Sequence, residues 1–349
     1  MKAANHKTAT GIRAGLTASV LAIAGWSSPA LAQQIKLRVA DSFPAGHYIS
    51  EVATKYWMSE VTRVTNNVVV FEYFPAEQLG KAKDLLALTV SGVTDIGYVA
   101  PSYISDKLPL SGVAELPGSF ATTCEGVAAY WKLAKEGGVL ASKEFAPNGV
   151  HVLMAFVMSP YQLYLGKGKL ENLKSLDGLK IRPTSGGVEL MRKLNVVPVQ
   201  IPAPDVYESL SRGTIDGILF PIASIFAYNL QGLLKTSTIG ESFGSFAATY
   251  AISEKRWKTL PPNVQKAMMD VGDATVRRAC EYIDENEAKD TEKLRKLGVA
   301  TVQLPASDKK ALAEMMRNGS TAWAETLDKR GKPGTEVLNA FRAALPPAK

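Results

Sequence analysis

Histidine and cysteine are scarce in this 349-residue chain, and the scarcity narrows the chemistry open to it. Three histidines (His6, His47, His151) and two cysteines (Cys124, Cys280) are spread far apart. No C-x-x-C or H-x-x-x-H pair occurs, so a zinc site has no ligand set to draw on. No Walker or dinucleotide-type glycine pattern is present either. Gly240-Glu241-Ser242-Phe243-Gly244 has the spelling of a nucleophile elbow. That device needs a preceding strand, a following helix and a downstream histidine, and every histidine lies upstream of Ser242. The chain therefore reads as a non-enzyme, without metal or cofactor.

Long hydrophobic runs and charge clusters are missing too. Lys and Arg are scattered and often sit beside acids, as in 281–296. Without a basic stripe interleaved with aromatics, nucleic acid is not expected as a partner. The net charge is +7; residues 1–32 carry three basic groups and no acid, so the remainder carries +4. A mild positive field favours anionic solutes. The one sustained apolar stretch, 15–26, is shorter than the roughly 20 residues that span a bilayer. It follows Lys2, Lys7 and Arg13 and precedes Ala30-Leu31-Ala32, the layout of a secretory signal peptide cleaved after residue 32. The expected location is the periplasm. An exported chain can pair two cysteines, but Cys124 and Cys280 are read as separate small apolar residues on helices, because sequence cannot bring their Cα atoms together.

What is present alternates between strand and helix. Lys36–Ala40, Val68–Phe74, Ile96–Val99 and Val150–Met158 have strand character. Glu51–Val64 and Lys81–Val90 have helical spacing. Alternating units of this kind predict sheets flanked by helices, an α/β class. One unit occurs twice: Ser91-Gly92-Val93-Thr94-Asp95 before a short apolar strand and Pro101, and Ser211-Arg212-Gly213-Thr214-Ile215-Asp216 before another and Pro221. Two matching units suggest two similar lobes. In the second, Leu179–Arg182 is a strand, Ser185-Gly186-Gly187 leads into a helix, Val196–Ile201 returns as a strand, and Asp205 with Glu208 forms a capping box. A helix over Asn263–Leu297, opened by Pro261-Pro262 and closed by Gly298, is long enough to brace both lobes. Its Gly272 costs about 1 kcal/mol relative to Ala.

Arg182 is the first candidate for binding. It ends a strand just before a glycine turn and a helix start, the edge at which open α/β sheets hold ligands. Arginine grips a carboxylate with two parallel charged hydrogen bonds. Aromatic residues recur at matching strand ends: Tyr98, Tyr103, Tyr161, Tyr164 and Phe220.

The stretch Leu176-Asp177-Gly178-Leu179-Lys180-Ile181-Arg182 resembles the solute-binding receptors of tripartite ATP-independent periplasmic (TRAP) transporters. So do Val197-Pro198-Val199, Val206-Tyr207-Glu208-Ser209-Leu210, Gly213–Gly217, Phe74-Pro75-Ala76-Glu77-Gln78-Leu79-Gly80 and Trp257–Pro261, over a span from about Lys36 to the end. The resemblance implies a bilobal binding protein with a ligand cleft between two α/β lobes, crossed near Ala155–Leu163 and Phe246–Ile252, with the long helix underneath. On this reading lobe 1 comprises 33–157 with about 248–280, and lobe 2 comprises 158–247 with about 281–349. It implies closure on a small organic acid and its delivery to membrane subunits, with Arg182 as the carboxylate-binding arginine; the chain itself is expected to be a monomer. Glu77, in the first-lobe motif, joins the candidate set. Many members carry Asn where this chain has Phe220, and sialic-acid-type members carry a further Arg where this chain has Ser159–Tyr164. Those departures favour one carboxylate on an aromatic or branched apolar body. Tyr98, Gln162 and His47 are candidates to bond a 2-oxo or 2-hydroxy group. A receptor for another importer type, or a periplasmic enzyme on the same scaffold, is the alternative.

Overall fold

In the computed structural model, residues 34–347 are described, and the expected leader at 1–32 lies outside them. The chain builds two sheets. It opens with β1 (Ile35–Ala40), α1 (Tyr56–Val64, preceded by a wider π-type stretch at Ser50–Lys55), β2 (Val69–Phe74), α2 (Leu85–Ser91) and β3 (Ile96–Val99). A 3-10 turn at Leu110–Glu115 and α3 (Thr123–Ala134) lead into β4 (Val150–Val157). The chain then crosses to the second sheet through β5 (Gln162–Leu165), β6 (Lys180–Arg182), α4 (Val188–Lys193), β7 (Val197–Pro198), α5 (Val206–Ser211), β8 (Gly217–Phe220), α6 (Ile222–Ala227) and β9 (Thr236–Thr238). It returns along β10 (Ala247–Ser253) and α7 (Glu254–Trp257), and ends with α8 (Pro262–Lys296), β11 (Ala300–Val302), α9 (Ala306–Lys329) and α10 (Gly334–Ala344).

The first sheet has the order β2-β1-β3-β10-β4 and the second β7-β6-β8-β5-β9-β11. Read this way the two match: three parallel strands, then one antiparallel strand delivered from the other sheet. The repeated G-x-x-D unit sits at the same place in both. Gly92 and Gly213 end their helices with φ of 81° and 70°, a conformation that carries little penalty without a Cβ. Asp95 then accepts the Arg38 backbone N–H at 2.8 Å, and Asp216 accepts that of Lys180 at 2.9 Å. Each aspartate thus ties the start of its strand to the neighbour, and the repetition follows from the lobe's architecture.

The long helix α8 agrees with its expected bounds to one residue at each end. Its first half packs on β4, α3 and α1, and Leu294 near its end joins the smaller core beneath the second sheet with Ile218 and Ile225. Gly272, expected only as a cost, has a packing reason: a Cβ there would lie 2.2 Å from the Leu153 carbonyl oxygen, so glycine lets α8 lie flat on β4. The chain after α8 reaches both lobes, α9 packing on α4 and α10 on α3.

Three local expectations are corrected. Cys124 and Cys280 form a disulfide between α3 and α8, with Cα atoms 4.9 Å apart. The two helices meet because Asp284 of α8 caps the start of α3, accepting the backbone N–H groups of Thr123 (2.8 Å) and Cys124 (3.0 Å). Asp205 makes no capping bond and already has helical φ and ψ, while Glu208 pairs with Arg212. The strand expected over Val196–Ile201 is only Val197–Pro198: Val197 and Val199 donate to the Leu179 and Ile181 carbonyls at 2.8 and 3.0 Å, and the ladder stops where Pro183, following β6, has no N–H to give.

Candidate binding site

Arg182 ends β6 and is 1% exposed. Its Nε donates to the Ile201 carbonyl at 3.1 Å and its Nη1 to that of Leu219 at 3.4 Å. The guanidinium carbon lies 5.2 Å from the centre of the Phe220 ring. Among the described residues no carboxylate lies within ion-pair distance of it. A guanidinium has five N–H donors, and these two carbonyls leave the rest without a hydrogen-bond partner among the described residues. A buried, unpaired cation is costly unless something compensates it.

Arg182 borders a narrow cavity of about 20 Å³ between the two sheets, far below the roughly 300–1,000 Å³ of ligand pockets, so the lobes must part to admit a solute. Its walls are Phe43, His47, Tyr98 and Tyr103 from the first lobe, Met158, Tyr161 and Phe246 from the crossing segments, and Arg182, Ala203, Phe220, Ser224 and Tyr228 from the second. The rings touch in series: Phe43 with Tyr98 (4.6 Å between centroids), Phe43 with His47 (4.2 Å), His47 with Tyr228 (5.5 Å), Tyr228 with Phe220 (5.8 Å) and Phe220 with Tyr161 (6.1 Å). Burial pushes the phenols of Tyr98, Tyr161 and Tyr228 well above their usual range, so they keep their protons as donors. Burial also lowers the His47 pKa to about 3, so its ring is neutral. Arg182 is therefore the one charged group in the lining.

Bonds between the lobes hold the cleft shut. The Tyr103 hydroxyl accepts the Ala203 N–H at 3.0 Å, and the Tyr48 and Ser224 hydroxyls lie 3.1 Å apart. The buried carboxylate of Glu115 accepts from Ser102 of the first lobe and Ser185 of the second, both at 2.5 Å. The crossing segments also bind each other, Tyr161 N to the Gly244 carbonyl at 2.8 Å and Met158 N to that of Phe246 at 2.9 Å.

Of the nine candidates, the structure gathers Arg182, Phe220, Tyr98, Tyr103, Tyr161 and His47 around this cavity and leaves three outside. Glu77 sits in a left-handed turn with φ of 61°, pairs with Lys81 at 2.7 Å and accepts the Ala82 N–H at 2.8 Å, so its carboxylate secures a turn. The Gln162 amide is used along the crossing segment, donating to the Glu241 carbonyl (2.6 Å) and accepting from the Thr238 hydroxyl (2.9 Å). Tyr164 faces the second core. Phe43, Met158, Ala203, Ser224, Tyr228 and Phe246 were not foreseen. Phe43 follows β1, the counterpart of the strand that ends in Arg182, so the strand-end rule extended to the first lobe would have found it. Ser242 lies in the returning crossing segment, where its hydroxyl accepts the Gly118 N–H at 3.2 Å. Among the described residues no cluster of metal-ligating side chains occurs, and no helix is long and apolar enough to cross a membrane.

Known proteins share this architecture. Residues 39–326 match the model of bacterial extracellular solute-binding protein, family 7. The C4-dicarboxylate-binding periplasmic protein DctP of Rhodobacter capsulatus is 27% identical over 96% of this chain and 97% of its own. A TRAP solute-binding protein from Rhodoferax ferrireducens, solved with copurified benzoate, superposes with a TM-score of 0.80 at 21% identity, covering 89% of this chain and 97% of that one. A TRAP periplasmic protein from Bordetella bronchiseptica, solved with (R)- and (S)-mandelate, also has a TM-score of 0.80, at 22% identity over 89% and 98%. With a family model spanning most of its length and the bilobal architecture in place, this chain belongs to family 7 of the bacterial extracellular solute-binding proteins, the solute receptors of TRAP transporters.

Proposed function

We propose that this receptor captures a small monocarboxylate with an aromatic or branched apolar body in the cavity at Arg182, and delivers it to TRAP membrane subunits from the periplasm. One observation carries the reading: a buried arginine without an acidic partner is the only charge in an aromatic enclosure. A carboxylate supplies the two acceptors that its free donors lack. The rings of Phe43, Tyr161, Phe220, Tyr228 and Phe246 suit a flat apolar body, each well-placed ring adding about 0.5–1.5 kcal/mol beyond area burial. Benzoate and mandelate in the two structural relatives fit the same description. A second carboxylate, as in a C4-dicarboxylate, would be buried here without a cation, which is expensive. The signal-peptide layout of residues 1–32 and the Cys124–Cys280 disulfide both suit an oxidising compartment.

A thermal-shift panel tests this. A ligand at 100 times its dissociation constant stabilises by about 2.7 kcal/mol, enough to raise the melting temperature measurably. Aryl and branched monocarboxylates are expected to give shifts, with sugar acids and C4-dicarboxylates giving none. A dicarboxylate or hexuronate as the strongest stabiliser would refute the proposal.

A further inference from the structure

His47 is 1% exposed and held in one orientation. Its ring is stacked between Phe43 (4.2 Å) and Tyr48 (4.5 Å). Its Nδ1 accepts the backbone N–H of Ile49 at 3.2 Å. A neutral imidazole that accepts at Nδ1 carries its proton on Nε2. That Nε2–H lies in the cavity wall and has no partner. Buried donors are rarely left without an acceptor, and flipping the ring would break the bond to Ile49. Tyr98, whose ring also packs on Phe43 at 4.6 Å, lines the same cavity. An unused N–H in a cavity that also holds a phenol, which can both give and take a proton, suits a hydroxyl group, which does both.

These two groups do not share the arginine's lobe. Arg182 is anchored to carbonyls of the second lobe, whereas His47 and Tyr98 belong to the first. Along the wall the guanidinium neighbours Phe220 (5.2 Å), Phe220 neighbours Tyr228 (5.8 Å), and Tyr228 neighbours the imidazole (5.5 Å). We infer that the ligand is a hydroxylated aryl monocarboxylate: the carboxylate sits on Arg182, and a ring hydroxyl remote from it accepts from His47 Nε2 and bonds Tyr98. This rests on the monocarboxylate reading above and assigns His47 as the residue that selects for the hydroxyl. Burial keeps His47 neutral, with a pKa near 3, so it offers this acceptor a hydrogen bond and not a counter-charge.

Calorimetry on matched acids tests it. Benzoate is compared with 2-, 3- and 4-hydroxybenzoate, and phenylacetate with mandelate and the ring-hydroxylated phenylacetates. Wild type, His47→Asn and Arg182→Ala are titrated in parallel. Asn is chosen because its side-chain oxygen can still accept from Ile49 while the Nε2–H is lost. In wild type, a 3- or 4-hydroxyl is expected to tighten binding at least about tenfold, a factor set by one good hydrogen bond. 2-Hydroxybenzoate, whose hydroxyl turns onto its own carboxylate, gains nothing. In His47→Asn the gain, read as the affinity ratio within each acid pair so that a general loss cancels, falls below about twofold. Equal affinity within the pairs, a gain confined to mandelate, or a preference retained in His47→Asn overturns the inference and leaves the monocarboxylate reading standing. If no aryl carboxylate binds, or if Arg182→Ala binds as wild type does, both readings fall. Should His47→Asn not fold, the wild-type imidazole Nε2–H proton resonance decides: it moves downfield with the hydroxylated acid and not with its parent, and identical spectra count against the assignment.

Discussion

Glu144 shows how one buried acid links pH to stability. It takes the backbone N–H groups of Leu110 (2.5 Å) and Ser111 (2.8 Å), fixing the start of the turn that ends in Glu115. Burial raises its pKa to about 7 against these bonds. In the unfolded chain the same carboxyl titrates near 4.5. Between those values the folded state holds more protons than the unfolded one, so the contribution of Glu144 to stability falls as pH rises. His47 acts in the opposite sense: its pKa is lowered to about 3, and what it contributes is lost as pH drops below the ordinary histidine value of 6.5. The melting temperature of wild type relative to Glu144→Gln should therefore be higher at pH 5 than at pH 8. An unchanged difference across that range would mean that Glu144 does not titrate with folding. At this scale the sequence was legible for Arg182 and for the strand-end aromatics, because strand ends collect ligand-facing residues. It was not legible for Gln162 and Tyr164, whose orientation depends on what the crossing segment needs, nor for Tyr228, which follows a helix and carries no pattern of its own.

Helix α8 and the disulfide on it stand at the scale of elements. Proline at the start and Gly298 beyond the end made the helix readable. The bond between Cys124 and Cys280 was not, since it joins positions 156 residues apart that meet only because α3 packs across α8. A crosslink over so long a loop restrains the unfolded chain strongly, and losing a native disulfide typically costs about 2–5 kcal/mol. Cys124→Ser/Cys280→Ser is expected to melt several degrees below wild type while keeping its fold, since Asp284 still caps α3. A double variant as stable as wild type in non-reducing buffer would show that this crosslink contributes nothing. The repeated G-x-x-D turn was equally visible, and its meaning became clear only from the matching bonds of Asp95 and Asp216 to neighbouring strands.

For the whole molecule, two lobes of like topology meet around one charge. Glu115 bridges Ser102 and Ser185 across the cleft, Tyr103 reaches Ala203, and Tyr48 reaches Ser224, so the enclosure around Arg182 exists only when the lobes are together. A solute that touched both lobes would favour this closed form over an open one. The family pattern in the sequence carried the bilobal plan, whereas these bridging contacts join residues distant in the chain and have no local signature. The central claim is that Arg182 holds the carboxylate. Calorimetric titration of wild type and Arg182→Ala with the best-stabilising aryl carboxylate tests it most directly. Charged hydrogen bonds contribute roughly 1.5–3 kcal/mol each, and the variant strands a buried carboxylate besides. Affinity is predicted to fall at least about a hundredfold with the fold intact; a folded variant that binds the acid within a few-fold of wild type would contradict the account.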